Sequence, residues 1–188
     1  MVLAALADRV RPLRRVEYEQ MVDMGLFRNE RVELLRGYVV QMSPQKSRHG
    51  GAVQSLNHFF VLALVASRRA SVRVQLPLAV GDDSEPEPDI ALVPPEEYRD
   101  RHPDTAFLVV EVAETSLKED RAKAEIYASG GIPEYWIADT VHGLVEVYTD
   151  IVDGVYARVT PFRHGQTLSP GAFPDLAIRV EDILGSKP

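Results

Sequence analysis

One glutamate lies within the most hydrophobic stretch of the chain, where a charged side chain is costly. Glu111 falls inside a predicted strand at residues 106–112, and strand alternation places it on one face with Phe107 and Val109. A buried carboxylate loses its hydration and is tolerated only when its charge is paired. We therefore expect Glu111 to belong to a functional site near the C-terminal end of a central strand. An ordinary buried ion pair or a frayed strand end is the alternative.

Three further charged residues could converge with Glu111. Asp89 follows two prolines and opens a short apolar strand, so its position is preordered, although a turn or capping aspartate would look the same. Glu33 alternates with apolar neighbours in a predicted hairpin, where a solvent-facing position is the alternative. Lys123 lies on the helix after the Glu111 strand. That helix must pack across the sheet, which can bring the ammonium group near Glu111; a solvated helix lysine is the alternative.

These residue types suit metal-assisted phosphodiester hydrolysis. Two or three converging carboxylates bind Mg²⁺ or Mn²⁺, which prefer oxygen ligands and keep several waters. The metal can lower the pKa of a bound water and neutralise charge on a phosphoryl oxygen. A nearby lysine can orient the attacking water or stabilise the transition state. We expect Asp89 and Glu111 to bind the metal, with Glu33 and Lys123 completing the catalytic set.

The pattern of apolar residues predicts an α/β (α+β) fold, a mixed sheet flanked by helices. Helices are predicted at residues 15–26, 47–68 and 117–129, the second with Ser47 as N-cap and the third closed by Gly130 and Gly131. A hairpin is predicted at 31–42, and strands at 72–80, 90–93, 106–112, 134–138 and 144–148. The chain to about residue 180 is expected to add short C-terminal strands, with a last helical turn after Glu181. Because a helix follows the most buried strand, these elements favour a sheet covered by helices.

Composition indicates an ordinary globular protein. The 188 residues, 45% of them apolar, suit one domain spanning residues 1–188, with residues 1–14 interpreted as a loose arm. The absence of cysteine excludes disulfides and thiolate zinc sites. No signal peptide pattern and no apolar run of about 18 residues is found, so we expect a cytoplasmic protein that does not contact membranes. The net charge of −7 argues against non-specific coating of nucleic acid but allows a local basic groove.

With these residues, the sequence resembles the PD-(D/E)XK nuclease superfamily and, within it, the Uma-two family of restriction-endonuclease-like proteins. The resemblance spans about residues 16–150 and rests on the stretches VELLRGYVVQMSP with a following His49, VRVQLPLAV, EPEPDIALVP, FLVVEVAETSL and KAEIYASGGIPEYWIAD. It implies a restriction-endonuclease-like central mixed sheet flanked by helices, a Mg²⁺ or Mn²⁺ cofactor, and DNA as the partner. A homodimer would provide two sites for cutting two strands.

The resemblance also assigns residues. The superfamily's aspartate corresponds to Asp89 and its glutamate to Glu111. The lysine expected two positions later is replaced by Ala113, and in the Uma-two branch it comes from the next helix, four residues before a tyrosine, as Lys123 and Tyr127 do. The early glutamate of the family corresponds to Glu33, and Gln75 is implied to line the site.

One further residue is a candidate for the site, and one position departs from the family spacing. His49 begins the long predicted helix, where anions are favoured, although a surface or capping histidine is the alternative. In the family an aspartate usually lies four residues before the lysine, whereas Asp120 lies three before Lys123. A slip of one residue on a helix rotates a side chain by about 100°.

Three functions remain open from the sequence. The first is a metal-dependent endonuclease. The second is a non-catalytic nucleic-acid-binding or regulatory module on a nuclease scaffold, which Ala113, the Asp120 spacing and the acidic charge favour. The third is a metal-free hydrolase in which paired carboxylates act as acid and base, for example on sugars; it would leave Lys123 without a role.

Overall fold

A computed structural model describes residues 9–185. Its helices are α1 (Arg15–Asp23), α2 (Ser47–Phe60), α3 (Leu117–Ser129) and α4 (Val180–Leu184), and α2 continues as a π-helix over Val61–Val65. Its strands are β1 (Val32–Leu35), β2 (Tyr38–Gln41), β3 (Ser71–Val74), β4 (Ile90–Val93), β5 (Leu108–Ala113), β6 (Tyr135–Asp139), β7 (Leu144–Val152), β8 (Val155–Arg163), β9 (Thr167–Leu168) and β10 (Ile178–Arg179).

Six strands form one mixed sheet in the order β3-β4-β5-β6-β7-β8. Only β5 and β6 pair in parallel, with α3 as the crossover between them, and the other neighbours are antiparallel. As a consequence β5, β6 and β8 all end, and β4 begins, at one end of the sheet, which we call the carboxyl end. This confirms the predicted mixed sheet flanked by helices.

The two faces of the sheet bury different side chains because residues alternate along each strand. On one face Val110 and Trp136 pack against Leu56 and Phe60 of α2. On the other face Val109 packs with residues of α3, and Glu111 shares this second face by alternation. Both faces of β5 are fully covered, which explains its near-continuous apolar sequence.

Two tight hairpins follow from residues that accept positive φ. Arg36 and Gly37 join β1 to β2 with φ of 51° and 79°, and Asp153 and Gly154 join β7 to β8 with φ of 51° and 77°. A two-residue hairpin turn with positive φ at both central residues has a backbone twist that matches the right-handed twist of the flanking strands. Gly37 has a second constraint, because an added Cβ would lie 2.3 Å from the Cβ of Pro12.

Three predicted boundaries are wrong. The strand at 72–80 ends at Val74, because Gln75 takes a left-handed φ of 51° and Pro77 has no N–H to donate. The chain therefore leaves the sheet, and Leu76 is 45% exposed. Ser47 is the first helical residue rather than the N-cap, which is Lys46. The C-terminal strands are not all short, since β8 is nine residues long.

The predicted arm lies partly outside the described residues, which begin at residue 9. Residues 10–14 form no helix or strand, and the N–H of Leu13 donates to the carbonyl of Gly37 at 3.0 Å. Within residues 9–185 no helix has the length and apolar character needed to cross a bilayer.

Candidate functional site

Asp89 and Glu111 meet at the carboxyl end of the sheet. Asp89 immediately precedes β4, and Glu111 lies in the second half of β5, which pairs with β4. The N–H of Val112 donates to Asp89 Oδ2 at 2.9 Å, and the N–H of Asp89 points to Glu111 Oε2 at 3.4 Å. Both side chains are buried, so neither residue is a solvated turn or a frayed strand end.

Lys123 reaches the same place from α3. Its Nζ donates to Glu111 Oε1 at 3.1 Å and lies 2.9 Å from the Glu33 carboxylate. Tyr127, one turn later, donates its hydroxyl to the same Glu111 oxygen at 2.9 Å. The spacing of four residues on a helix stacks these two side chains on the face that covers β5.

The C-terminal end of α3 has a capping motif that fixes the helical turn carrying Tyr127. The N–H of Ile132 donates to the carbonyl of Tyr127, and the N–H of Gly131 donates to that of Ala128, both at 3.0 Å. Gly131 has a φ of 77°, so the pair forms a Schellman motif. This confirms the predicted glycine closure of α3.

Glu33 is buried, and the alternative of a solvent-facing hairpin position is wrong. The β1–β2 hairpin packs against the segment before Asp89 through a backbone bridge between Leu34 and Glu85. The N–H of Glu87 donates to Glu33 Oε2 at 3.2 Å, which turns the Glu33 side chain towards Lys123. Only 5% of Glu33 is exposed.

Two polar side chains orient Asp89. His49, in the first turn of α2, places Nε2 2.9 Å from Asp89 Oδ2. Gln75 donates Nε2–H to Asp89 Oδ1 at 3.0 Å, and its left-handed backbone follows β3 directly. His49 Nδ1 is buried without a hydrogen-bond partner among the described residues. The structure therefore brings His49, Gln75 and Tyr127 together with Glu33, Asp89, Glu111 and Lys123.

Asp120 is a further buried residue of this cluster, although in the sequence it stood out only because it lies three, and not four, residues before Lys123. It is buried, accepts the Ser116 hydroxyl at 2.6 Å, and lies three residues before Lys123 on the same side of α3. Burial raises its pKa to about 6, and Asp89 and Glu33 add to the rise. The short spacing therefore does not rotate Lys123 away from Glu111. The sequence did contain a signal that Asp120 lies beside Lys123, because residues three apart on a helix share a face.

The cluster holds more carboxyl groups than cationic groups. Burial raises the pKa of Glu111; Lys123 opposes the rise, while Asp89, Asp120 and Glu33 add to it. Burial would lower the pKa of Lys123, but Glu111 and Glu33 outweigh it and the pKa is raised, so the ammonium stays charged. The Lys123 ammonium and the His49 ring, whose pKa burial would lower but the Asp89 carboxylate raises, thus lie among four buried carboxyl groups, and a further cation would be stabilised there.

The cluster offers carboxylate oxygens to a divalent metal. Within residues 9–185 no group of three or more histidine, aspartate or glutamate side chains is arranged to hold a metal ion. Mg²⁺, however, is usually bound by one or two carboxylates and keeps its other positions for water and phosphate oxygens. Asp89 and Glu111 supply two such carboxylates, and Glu111 Oε2 makes only the long contact to the Asp89 N–H. These residues fit the ion.

Known proteins are similar to this chain in fold and in family. A crystal structure of a putative nuclease belonging to DUF820 from Anabaena variabilis ATCC 29413 superposes with a TM-score of 0.70, covering 81% of this chain and 89% of that one. At 16% identity this likeness shows the fold alone. No curated protein matches the sequence. The Uma2 family model, described as "Putative restriction endonuclease", matches residues 15–181, and the chain therefore belongs to that family.

Proposed function

We propose that this protein is a Mg²⁺- or Mn²⁺-dependent nuclease that hydrolyses phosphodiester bonds in DNA. The observation that carries the proposal is the convergence of buried carboxyl groups, those of Glu33, Asp89 and Glu111, beside Lys123 in a chain of a nuclease-like family. Buried carboxylates are costly without compensation, and a cation bound between them would provide it. Families of this kind usually act with divalent metals on nucleic acid.

Each residue has a distinct part in this proposal. Asp89 and Glu111 bind the ion, which when present supplies Lewis-acid activation of water and neutralises charge on the phosphoryl group. His49 and Gln75 hold the Asp89 carboxylate in one orientation. The Lys123 ammonium, fixed by Glu33 and Glu111, stabilises negative charge that develops on the phosphate.

The deciding experiment is cleavage of DNA by the Asp89→Asn variant in Mn²⁺. Asparagine keeps the shape of the side chain but removes the charge that binds the ion, so cleavage should fall at least about a hundredfold. Asp175→Asn is the matched control, because Asp175 is an exposed aspartate paired with Arg69. A chelator should abolish wild-type cleavage. Unchanged cleavage by Asp89→Asn, or cleavage that survives the chelator, contradicts the proposal.

A non-catalytic binding module on the same scaffold is the second candidate. The observation that favours it is that Lys123 already neutralises Glu111 through a 3.1 Å contact, so part of the site is closed without a metal. Calorimetric titration with Mn²⁺ separates the two functions. Binding that is lost in Asp89→Asn supports the nuclease, whereas DNA binding without any Mn²⁺ binding supports the module.

The homodimer remains a prediction. It would supply two cleavage sites for the two strands of a duplex. Sedimentation equilibrium of the purified protein, with and without DNA, measures the mass directly.

A further inference from the structure

A cavity of about 710 Å³ opens at the carboxyl end of the sheet. Its walls are the first three turns of α2, the turn after β6, the end of β8 with His164, and the end of α4. Because β5, β6 and β8 end at the same side of the sheet, this cavity and the Asp89–Glu111 pair face the same end of the molecule. The first turn of α2 joins them: Arg48 lines the cavity, and the next residue, His49, contacts Asp89.

The lining of the cavity is basic in an acidic protein. Arg48, His142, Arg163 and His164 lie on its walls, and no aspartate or glutamate is among its lining residues. We call these four residues the basic cleft. The whole chain carries a net charge of −7, so a patch without carboxylates departs from the average surface. Within residues 9–185 neither Arg48 nor Arg163 forms an ion pair, whereas most of the other arginines do.

The histidines of the basic cleft are held in defined positions. Asp139, which is 2% exposed, accepts the N–H groups of Val141 and His142 and lies 2.7 Å from His142 Nδ1. That contact leaves Nε2 of the largely exposed His142 ring for another partner. His164 contacts the carbonyls of Gly143 and Gly185 through its two ring nitrogens, at 3.1 and 3.0 Å, and so ties two walls together.

We propose that the basic cleft binds the sugar-phosphate backbone of the DNA substrate, next to the bond that is cut. Unpaired arginines are suited to phosphate oxygens, to which they donate two hydrogen bonds at once. The N-terminus of α2 also favours an anion. It has no acidic residue in its first turn, and Gly50 and Gly51 leave free space beside their backbone. Contacts of this type position the strand without reading its sequence. This inference rests on the proposed nuclease function.

The test is DNA binding by the double variant Arg48→Ala/Arg163→Ala. Binding of a fluorescein-labelled DNA duplex is measured by anisotropy in a chelator, over a series of KCl concentrations. We expect roughly tenfold weaker binding at low salt, and a plot of log affinity against log salt that is shallower by about two units, one for each lost phosphate contact. Arg28→Ala/Arg68→Ala is the matched control, because it removes the same charge from exposed, unpaired arginines elsewhere and should bind as the wild type does.

A second readout locates the contact. Hydrogen exchange of the wild type should slow at residues 140–143 and 163–165 when DNA is added, and this protection should disappear in the Arg48→Ala/Arg163→Ala variant. Equal melting temperatures of both double variants show that folding is intact.

The outcomes separate the two proposals. If the wild type cleaves DNA and the cleft variant binds as tightly as the control variant, the basic cleft is overturned and the nuclease stands. If the cleft variant loses binding but the wild type never cleaves with Mn²⁺, the cleft stands and the nuclease is overturned. A wild-type protein that does not bind DNA overturns both.

Discussion

Two buried glutamates, one on β5 and one just before the neighbouring strand β6, show that the same group can have different roles. Glu134, just before β6, is satisfied by neutral donors: Trp136 Nε1–H and the N–H of Gly171, each at 2.6 Å. Glu111, on β5, lies instead among charges, with Lys123 and Tyr127 on one oxygen and the Asp89 N–H near the other. Both are at most 5% exposed, so burial alone does not distinguish them.

The difference lies in what each carboxylate is bonded to. Burial raises the pKa of Glu134, and the bonds from Gly171 and Trp136 oppose the rise. These bonds attach the segment after β9 to the sheet, and an added Cβ on Gly171 would lie 3.0 Å from Glu134 Oε2. Glu134 is therefore a structural carboxylate. The Glu111 cluster instead brings several buried carboxyl groups together around one ammonium, as we expect of a site that binds a cation.

The largest effect is expected from Lys123→Met, which tests whether the Glu111 cluster depends on its cation. Methionine fills similar space but leaves Glu33 and Glu111 buried without their partner, so the free energy of unfolding should fall by about 3–5 kcal/mol. Urea denaturation measures this loss. Adding Glu111→Gln to the variant should recover part of it, as a double-mutant cycle would show. A loss below about 1 kcal/mol would mean that the ammonium behaves like a surface charge.

A smaller effect is expected from Glu134→Gln, and its contrast with Glu111→Gln sharpens the comparison. Trp136 and Gly171 donate to different oxygens of Glu134, and in glutamine one of these oxygens is replaced by an NH2 group, so one of the two N–H groups loses its acceptor. We expect a loss of about 2 kcal/mol of stability with DNA cleavage retained. Glu111→Gln relieves negative charge and should not destabilise the protein, yet cleavage should collapse. Equal behaviour of the two variants in both assays would remove the distinction drawn between them.

The smallest effect concerns Glu85, a buried carboxyl group that has neither the neutral N–H donors of Glu134 nor the ammonium partner of Glu111. Its Oε2 has no hydrogen-bond partner among the described residues, and burial, reinforced by Glu19, raises its pKa from 4.5 to about 7. A raised carboxyl pKa means that the folded state holds the proton more tightly than the unfolded chain. The stabilisation is therefore fully present below pH 4.5 and is lost as the pH rises through about 7.

Comparing Glu85→Gln with wild type across that pH range measures this contribution. We expect the wild type to lose on the order of 1 kcal/mol that the variant does not lose, by urea denaturation at each pH. The control is Glu97→Gln, since the Glu97 side chain is 83% exposed. Parallel stability curves for wild type and Glu85→Gln would show that Glu85 is ionised at neutral pH in the folded protein.

The sequence by itself determined the elements and the identity of the unusual charges. The alternation around Glu111 predicted a buried strand, and its charge predicted a site. The helical spacing of Lys123 and Tyr127 predicted a shared face. Both follow from local geometry, because the periods of strands and helices are set by the backbone. The Asp153–Gly154 hairpin was not predicted, although this dipeptide favours a two-residue turn.

Only the tertiary structure decided which charges meet. Two residues after Glu111, where the sequence motif expects a lysine, the chain has Ala113. The Lys123 ammonium contacts Glu111 instead, because α3 crosses back over β5 as the link between two parallel strands. Glu33 is buried because its hairpin packs against the segment before Asp89, a contact between residues more than 50 positions apart. Glu134 gave no signal at all, since its partner Gly171 lies far along the chain. Convergence of this kind depends on how the elements pack, and no local pattern in the sequence records it.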